Sequence, residues 1–258
     1  MISKNKVKLI RSLERKKERM AQGLFVGEGP KVVGDLIANG FTPQLLVGTD
    51  QFWTHSVWES PGAGTCITVT EEELRKVSFL QHPQEVLGVF EIPRESERTV
   101  TDLIASVRSH LFLALDNVQD PGNLGTIIRI ADWFGIDAVI CSKGSADAYN
   151  PKVVQATMGS IARVPTLYID LDRFLSSLPA DVPVYGLVLD GKNLYEAGLT
   201  DHGVIVMGNE GNGISDTIKK RLTHRLLIPS YKKDTAESLN VAVATAVACS
   251  EFRRKRYE

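Results

Sequence analysis

The sequence predicts an α/β protein with two domains, in which strands alternate with helices. Short apolar runs of Val, Ile and Leu recur through the second half, with helical stretches between most of them. This pattern is typical of a parallel sheet that is covered on both faces. A smaller strand and helix alternation precedes it, and a short charged segment, residues 93–98, indicates a linker between the two. We therefore expect domains at residues 1–95 and 96–258.

The first domain is predicted from its helix starts and its apolar runs. Apolar residues at helical spacing predict one helix over Lys4–Met20. A second helix, Lys31–Asn39, follows Pro30, and Glu73 lies three residues after Thr70, as in a capping box that starts a further helix. The predicted strands are Leu24–Val26, Leu45–Val47, Cys66–Val69 and Val86–Phe90.

The second domain is predicted from six strands that are apolar almost throughout. In open parallel sheets, ligands bind beyond the carboxyl ends of the strands. We therefore expect the chemistry to lie in the loops that leave those ends, and three of these loops have an unusual composition. The predicted strands are Leu111–Leu115, Ala138–Cys141, Thr166–Ile169, Val184–Leu189, Val204–Met207 and Leu226–Ile228.

The composition argues against several classes of protein. The chain has 258 residues, of which 43% are hydrophobic and 24% charged, as in an ordinary globular protein. Its three cysteines are scattered and its five histidines show no metal-ligand spacing, so we expect no disulfides, no metal site and a cytoplasmic location. No apolar run approaches the roughly 20 residues of a membrane span, and no secretory signal follows the basic N-terminus.

Basic residues are concentrated at the two ends of the chain. Residues 1–19 hold eight Lys or Arg and two Glu, a local charge of +6, and residues 251–258 carry +2, although the whole chain has a net charge of -1. Basic ends on an acidic body fit the phosphate backbone of a nucleic acid. They fit two solvated helix faces equally well.

The first unusual loop is Asp116–Arg129, which follows a predicted strand and opens a helix near Leu124. Asn123 and Arg129 are six residues apart, so on one helix they would be separated by a net rotation of about 240°. They converge only if Asn123 lies on the loop or the cap. The alternative is that Asn123 is a plain N-cap and Arg129 an ordinary surface arginine.

The second unusual loop reads Gly-Asn-Glu-Gly-Asn-Gly over residues 208–213, directly after a predicted strand. A plain turn needs fewer glycines and asparagines. Their density indicates a main chain that a ligand approaches closely. Glu210 is a candidate for a polar contact or for a base.

The third unusual loop leads from strand 226–228 into a helix in which Val241–Ala248 are almost all small and apolar. A helix that is apolar all round is expected to be buried. Ser238 and Asn240 lie at its start. Ser238 could be a plain N-cap, but a second polar residue at the end of a buried helix needs hydrogen-bond partners.

Other nucleotide-binding and catalytic motifs are missing. Gly186–Lys192 has the glycine and lysine spacing of a phosphate loop, but the residues between the glycines are an apolar strand, and Asn193 stands where Ser or Thr would bind magnesium. We interpret that spacing as a coincidence. Neither a Gly-x-Gly-x-x-Gly fingerprint nor a Gly-x-Ser-x-Gly elbow occurs.

Taken in order, the three loops resemble the motifs of the SpoU family, also called the TrmH family, of RNA 2′-O-ribose methyltransferases. The first motif is similar to Asn123–Arg129, the second to Val206–Ser215, and the third to Ile228-Pro229 followed by Ser238-Leu239-Asn240. The likeness spans about residues 111–257. More loosely, the basic first helix and Leu24–Gly29 resemble a substrate-binding domain with a fold like that of a ribosomal protein.

The resemblance implies S-adenosylmethionine as the cofactor and a ribose 2′-hydroxyl of RNA as the methyl acceptor. Arg129 would anchor the phosphate of the target nucleotide, since arginine binds phosphate bidentately and keeps its charge. Whether Arg129, the phosphate or another group takes the proton is left open. The residues that would hold this arrangement are Asn123, Glu210, Ser238 and Asn240. The implied main-chain contacts of the cofactor are Leu187, Gly208, Ile228 and Leu239, with glycine at 208 leaving room for its approach.

The resemblance also implies a deep trefoil knot in the C-terminal part, which is rare among folds, and a homodimer whose interface completes the active site. The extra first domain favours ribosomal RNA over transfer RNA by analogy. One alternative is a non-catalytic RNA-binding relative, which the five intact polar residues argue against. Another is a methyltransferase that acts on a base or a protein, which the first and third motifs argue against.

Overall fold

The computed structural model describes residues 2–55, 65–93, 97–232 and 236–254. The chain divides into two compact units. The first unit comprises Met1–Arg94 and Asp147–Arg163, and the second comprises Glu95–Ala146 and Val164–Glu258. A segment from the second half of the chain thus packs within the first unit. The predicted boundary between residues 95 and 96 lies outside the described ranges, and the division at that point stays a prediction.

The secondary structure alternates between helices and strands along the chain. The helices are α1 (Lys4–Ser12), α2 (Lys16–Gln22), α3 (Pro30–Ala38), α4 (Asp50–His55), α5 (Glu71–Val77), α6 (Glu97–Ser106), α7 (Pro121–Trp133), α8 (Pro151–Ala156), α9 (Leu171–Ser176), α10 (Asp216–Lys219) and α11 (Val241–Arg254). The strands are β1 (Leu24–Glu28), β2 (Pro43–Thr49), β3 (Thr65–Val69), β4 (Val86–Glu91), β5 (Leu111–Leu115), β6 (Ala138–Ser142), β7 (Thr166–Ile169), β8 (Val184–Asn193), β9 (Gly203–Met207) and β10 (His224–Leu227).

Each unit is built around its own sheet. In the first unit the strand order is β1-β4-β2-β3, with β4 antiparallel to both of its neighbours and β2 parallel to β3. In the second unit the order is β10-β8-β9-β5-β6-β7, and every neighbouring pair is parallel. The predicted parallel sheet is therefore confirmed. The side chains of β5 and β9 are buried along their whole length, as expected of central strands that are covered on both faces.

Local signals in the sequence place several helix starts correctly. Thr70 accepts a hydrogen bond from Glu73 N and the Glu73 side chain accepts one from Thr70 N, so the predicted capping box is confirmed. The helix predicted to open near Leu124 begins earlier, at Pro121. Asp120 is its N-cap, and proline suits a first helical position because it lacks the N–H that would be unpaired there.

The single helix predicted over Lys4–Met20 is wrong, because the chain breaks it into α1 and α2. Leu13 ends the first helix and Arg15 adopts an extended conformation before the second. The break frees the carbonyl groups of Leu13 and Glu14, and Arg19 Nη1 donates to both, at 2.8 and 2.7 Å. Helical spacing of apolar residues could not reveal this, because the partner of the freed carbonyls is a side chain from the next helix.

Arg19 also forms a buried ion pair with Asp147. Their side chains are 1% and 5% exposed, and Arg19 Nε donates to Asp147 Oδ2 at 3.0 Å. The second carboxylate oxygen accepts from Tyr149 N at 3.0 Å. Phe25 on β1 packs against the Tyr149 ring, with centroids 4.8 Å apart. These contacts hold the segment Asp147–Arg163 within the first unit.

The described residues contain no helix that is both long and apolar enough to cross a membrane. Among the same residues, no group of three or more His, Cys, Asp or Glu is placed to hold a metal ion. Cys66, Cys141 and Cys249 form no disulfide, and Cys141 and Cys249 are buried whereas Cys66 is exposed. Burial raises the pKa of the Cys249 thiol to about 12.

We predict that Arg19→Met lowers the free energy of unfolding by about 3–5 kcal/mol, because Asp147 keeps a buried charge without its partner. Urea unfolding of the full chain measures this. Arg15→Met is the matched control, since its ion pair with Glu18 is exposed and 3.7 Å long, and a pair of that kind contributes at most about 1 kcal/mol. Arg19→Met with Asp147→Asn should recover part of the loss. Equal losses for the two arginine variants would contradict the prediction.

Candidate functional site

The candidate site lies where the strands of the second unit end. The sheet order makes β5 a neighbour of β9, β9 a neighbour of β8, and β8 a neighbour of β10. Since all are parallel, their carboxyl ends reach the same edge of the sheet. The three unusual loops leave this edge from β5, β9 and β10.

Glu210 in the second loop accepts hydrogen bonds from the first loop and from its own loop. Asn123 Nδ2 and Asp120 N donate to its Oε1 at 3.0 and 3.2 Å. Gln119 N and Asn209 Nδ2 donate to its Oε2 at 3.4 and 3.3 Å. The carboxylate thus links two segments that lie 87 to 91 residues apart along the chain, the N-terminus of α7 and the loop after β9.

These donors decide the ionisation of Glu210. Burial raises the pKa of its carboxyl group, but hydrogen bonds from Asn123 and from main-chain N–H groups outweigh burial, and the pKa lies below its ordinary value of 4.5. The side chain is therefore ionised at neutral pH and acts as an acceptor. Of the two roles that the sequence left open, polar contact or base, the geometry favours the polar contact.

A chain of side-chain hydrogen bonds extends from Glu210 to the third loop. Asn240 Nδ2 donates to Asn123 Oδ1 at 3.0 Å, and Asn123 Nδ2 donates in turn to Glu210. Asn240 Oδ1 accepts from Ala242 N and Val243 N at 2.9 and 3.3 Å, so Asn240 caps α11. One residue from each of the three loops thus takes part in a single hydrogen-bonded chain, Asn240–Asn123–Glu210.

Neither of the two plain capping roles considered for these loops is correct. Asp120, whose side chain accepts from Asn123 N at 2.8 Å, caps α7, and this leaves the Asn123 side chain free to bridge. Asn240, rather than Ser238, caps α11. Ser238 is exposed and has no hydrogen bond to another described residue. The structure therefore brings together Asn123, Glu210 and Asn240 but not Ser238.

Arg129 does not join this cluster. Both Asn123 and Arg129 lie inside α7, so the rotation between them keeps their side chains on different faces. Arg129 is exposed, without a hydrogen bond or an ion pair to any described residue. Gly122, Thr126 and Trp133 lie on the same exposed side of the helix, and Trp133 is 83% exposed.

Two further residues that the sequence did not single out organise the second loop. Asn209 Oδ1 accepts from Gly211 N and Asn212 N, both at 3.0 Å, which closes the turn. Asp116, 4% exposed at the end of β5, accepts from Ser215 N at 2.7 Å. A buried carboxylate directly after a buried strand is a signal that could have identified Asp116.

Gly208 is required by the chain itself. A Cβ at this position would lie 2.2 Å from Gly213 C and 2.3 Å from Ile214 N. The sequence led us to expect that glycine at 208 leaves room for the cofactor; the atoms nearest to such a Cβ belong to the main chain of the same loop, and the contact with the cofactor stays a prediction. The loop closes through paired hydrogen bonds between Asn209 and Gly213, each 2.9 Å long.

The remaining residues that are predicted to contact the cofactor are apolar and lie around the same strand ends. Leu187 and Ile228 are half-buried, and Leu239 is 50% exposed. The pairing of β8 with β9 ends at Gly186 and Val206, and the β8–β10 pairing jumps from Gly186 to Lys192. Leu187 therefore lies just beyond the β8–β9 ladder, and its contact with the cofactor stays a prediction.

The predicted complete burial of α11 is wrong on one side. Val241, Ala242, Thr245, Ala248 and Cys249 are buried, and the helix packs against α7. Val243, however, is 51% exposed. Exposed apolar side chains thus lie on the outer faces of both packed helices, Trp133 on α7 and Val243 on α11.

Comparison with known proteins identifies the family. Residues 110–250 match the SpoU rRNA Methylase family. The chain belongs to this family. Residues 4–88 match the MRM3-like substrate binding domain. The family resemblance and the enzyme class expected from the three loops are therefore confirmed.

Individual relatives cover nearly the whole chain. The 23S rRNA (guanosine(2553)-2'-O)-methyltransferase RlmP of Bacillus subtilis is 33% identical over 96% of both chains. A TrmH-family putative RNA methyltransferase from Porphyromonas gingivalis is 41% identical, with a TM-score of 0.88 over 99% of both chains. An rRNA methyltransferase from Sinorhizobium meliloti with bound AdoMet is 31% identical, with a TM-score of 0.84 over 99% of this chain and 96% of that one. The fold is thus that of the family, while the trefoil knot stays a prediction.

We predict that Glu210→Gln lowers the free energy of unfolding by about 1 kcal/mol at pH 7, less than a buried charged acceptor contributes, because the carboxylate is partly solvated. The folded-state pKa is depressed, so this contribution is present above the ordinary value of 4.5 and is lost as the pH falls through the folded-state pKa. Urea unfolding between pH 7 and pH 3 measures the difference.

The matched control is Glu237→Gln, at an exposed residue of the third loop. It should unfold like the parent chain at every pH. A difference between Glu210→Gln and the parent that does not shrink in acid would show that the charge of Glu210 is not what binds the loops.

Proposed function

We propose that this chain transfers a methyl group from S-adenosylmethionine to a ribose 2′-hydroxyl of large-subunit ribosomal RNA. The observation that carries the proposal is the chain Asn240–Asn123–Glu210, because it joins the three motifs of an RNA methylase family at one edge of the sheet. Relatives that align over nearly the full length are named as 23S rRNA and rRNA methyltransferases.

The strand ends suit S-adenosylmethionine. Its adenine is flat, largely apolar and rimmed with hydrogen-bonding nitrogens, and Leu187 offers a half-buried apolar side chain at a position just beyond the β8–β9 pairing. Two residues of the third motif add further apolar surface: Ile228 is half-buried and Leu239 is half-exposed. Gly208 follows the last residue of β9, and Leu187 follows the last residue of β8 that pairs with β9. The cofactor would supply a methyl group that is already activated towards a nucleophile.

The chain's own residues then have to position the ribose hydroxyl and hold the loops. Glu210 is ionised and has four donors, so we assign it to holding the loops together with Asn123 and Asn240. Arg129 is exposed and has no partner among the described residues, which leaves its guanidinium available for an RNA phosphate. We assign Arg129 to binding the target nucleotide, and Ser238 to the substrate side of the third loop.

We propose that the active unit is a homodimer. Trp133 and Val243 leave apolar surface exposed on two helices that pack together, and buried apolar area is what stabilises association. Arg129 shares the outer face of α7 with Trp133, so it would lie at this interface and complete the partner subunit's site. Sedimentation equilibrium tests the proposal, and the mass of one chain would contradict it.

RNA binding is assigned to the first domain, residues 1–95. Lys4, Lys8 and Arg11 lie at helical spacing on α1 and are exposed. The MRM3-like substrate binding domain matches this part of the chain. We also propose a cytoplasmic location, which three cysteines that form no disulfide with one another support.

We predict that the full chain labels an unmodified large-subunit rRNA transcript with the methyl group of radiolabelled S-adenosylmethionine. After alkaline hydrolysis the label should remain in a dinucleotide, because a 2′-O-methyl group blocks cleavage at that position. Label in mononucleotides would contradict ribose methylation and favour a base methyltransferase. Label on a tRNA transcript but not on the rRNA would contradict the assigned substrate.

Arg129→Ala serves in the same assay as the test of the site. It should reduce labelling below one per cent, on the order of the loss expected when a positioned charge is removed, while the calorimetric Kd for S-adenosylmethionine stays within about twofold. Arg173→Ala, an exposed arginine on α9, is the control and should label normally. Loss of cofactor binding in Arg129→Ala would contradict its assignment to the RNA.

We predict that Lys4→Gln with Lys8→Gln weakens binding of the rRNA transcript and reduces its salt dependence. Each lost phosphate contact should change the slope of log K against log[salt] by about 0.7–0.9. Point changes are preferred to removal of the first domain, since removal would take Arg19 away from Asp147. Lys220→Gln, in the second unit, is the control. An unchanged slope for the double variant would contradict the prediction.

A further inference from the structure

Asn117 has an unusual backbone at the point where β5 leads into the first loop. Its φ is +57°, in the left-handed region that residues with a Cβ rarely adopt. Asn tolerates this region better than most residues because its short side chain can bond locally. The conformation is held on both sides, because Asn117 N donates to Ser142 Oγ at 2.9 Å and Asn117 Nδ2 donates to Asp116 Oδ1 at 3.0 Å.

The loop after β6 is also shaped around this residue. Ser142 Oγ donates to Asn117 Oδ1 at 3.3 Å. A Cβ at Gly144 would lie only 2.0 Å from Asn117 Oδ1, so only glycine fits there without movement of the asparagine. The half-buried Asn117 side chain is thus held by Asp116 and Ser142 and closely approached by Gly144, and these contacts favour the left-handed backbone.

The consequence of this backbone is the direction of the Asn117 carbonyl. It accepts from Asn209 Nδ2 at 2.8 Å, which is the shorter of the two bonds that this amide donates. With Nδ2 held there, Asn209 Oδ1 faces Gly211 N and Asn212 N and closes the turn of the second loop. That turn carries Glu210 and follows Gly208 directly.

We infer that Asn117 is a positioning residue for the methyl-transfer site, and that it acts through Asn209 on the loop of residues 208–213. The inference rests on the proposed function, because it assigns that loop to the cofactor. The left-handed backbone is the essential property, since it directs the carbonyl, and the side-chain bonds serve to keep the backbone in place. Asn117 itself touches neither cofactor nor substrate.

The test compares variants that keep or lose the left-handed backbone. Asn117→Gly adopts positive φ without a steric penalty, so its calorimetric Kd for S-adenosylmethionine should stay within about twofold of the parent. Asn117→Ala should raise the Kd about tenfold, and Asn117→Val should raise it further, because the penalty grows with a branched Cβ. Equal Kd values for the parent, the glycine and the alanine variants would overturn the inference. An equal loss in the glycine and alanine variants would overturn the role of the backbone.

A double-mutant cycle tests the route through Asn209 and does not depend on the valine variant folding. Asn209→Ala should raise the Kd, and adding Asn117→Ala should then change it by less than about twofold, because the contact it disturbs is already gone. Effects that multiply would overturn the route. The parent chain separates this result from the proposed function, since a parent that binds no S-adenosylmethionine contradicts the function before any variant is compared.

Discussion

The loops at the carboxyl edge of the second unit's sheet are joined by one ionised carboxylate, that of Glu210. Its donors come from the N-terminus of α7 and from its own loop, and through Asn123 it also reaches the cap of α11. Burial alone would raise the pKa of this carboxyl group, and the several donors that converge on it keep it ionised. The convergence makes three loops, far apart in sequence, into one rigid edge. A site that must align a nucleophile with a methyl group needs that rigidity more than it needs a strong base.

The parallel sheet makes this convergence possible, and exact packing of the main chain completes it. Because β5, β8, β9 and β10 are parallel, they end at the same edge of the sheet, and the loops that leave them are neighbours. The loop after β9 then folds back on itself so closely that Gly208 has no room for a side chain. Asn117 contributes a carbonyl whose direction is set by a left-handed backbone. The shape of this edge is therefore a property of loop backbones as much as of the polar side chains they carry.

The outer faces of α7 and α11 carry exposed apolar side chains. Their inner faces pack together, but Trp133 and Val243 remain in contact with solvent in the single chain. Arg129 lies on this outer side, away from Asn123. A folding argument alone gives no reason to expose these groups, because burial of apolar surface is the main favourable contribution to folding. Association of two chains would bury them and would bring Arg129 to a place where it could meet RNA.

The sequence alone determined the alternation of strands and helices, the six parallel strands, the capping box at Thr70 and the three loops that carry the family motifs. These features follow from local periodicity and from residue types that favour one backbone conformation, so neighbours along the chain suffice to predict them. Only the tertiary structure decided that Asp120 and Asn240 cap their helices, that Arg19 breaks the first helix, and that Asn117 orients Asn209. In each of these cases the deciding hydrogen bond joins groups that come together only in the folded chain. A pattern along the sequence does not predict which groups these are.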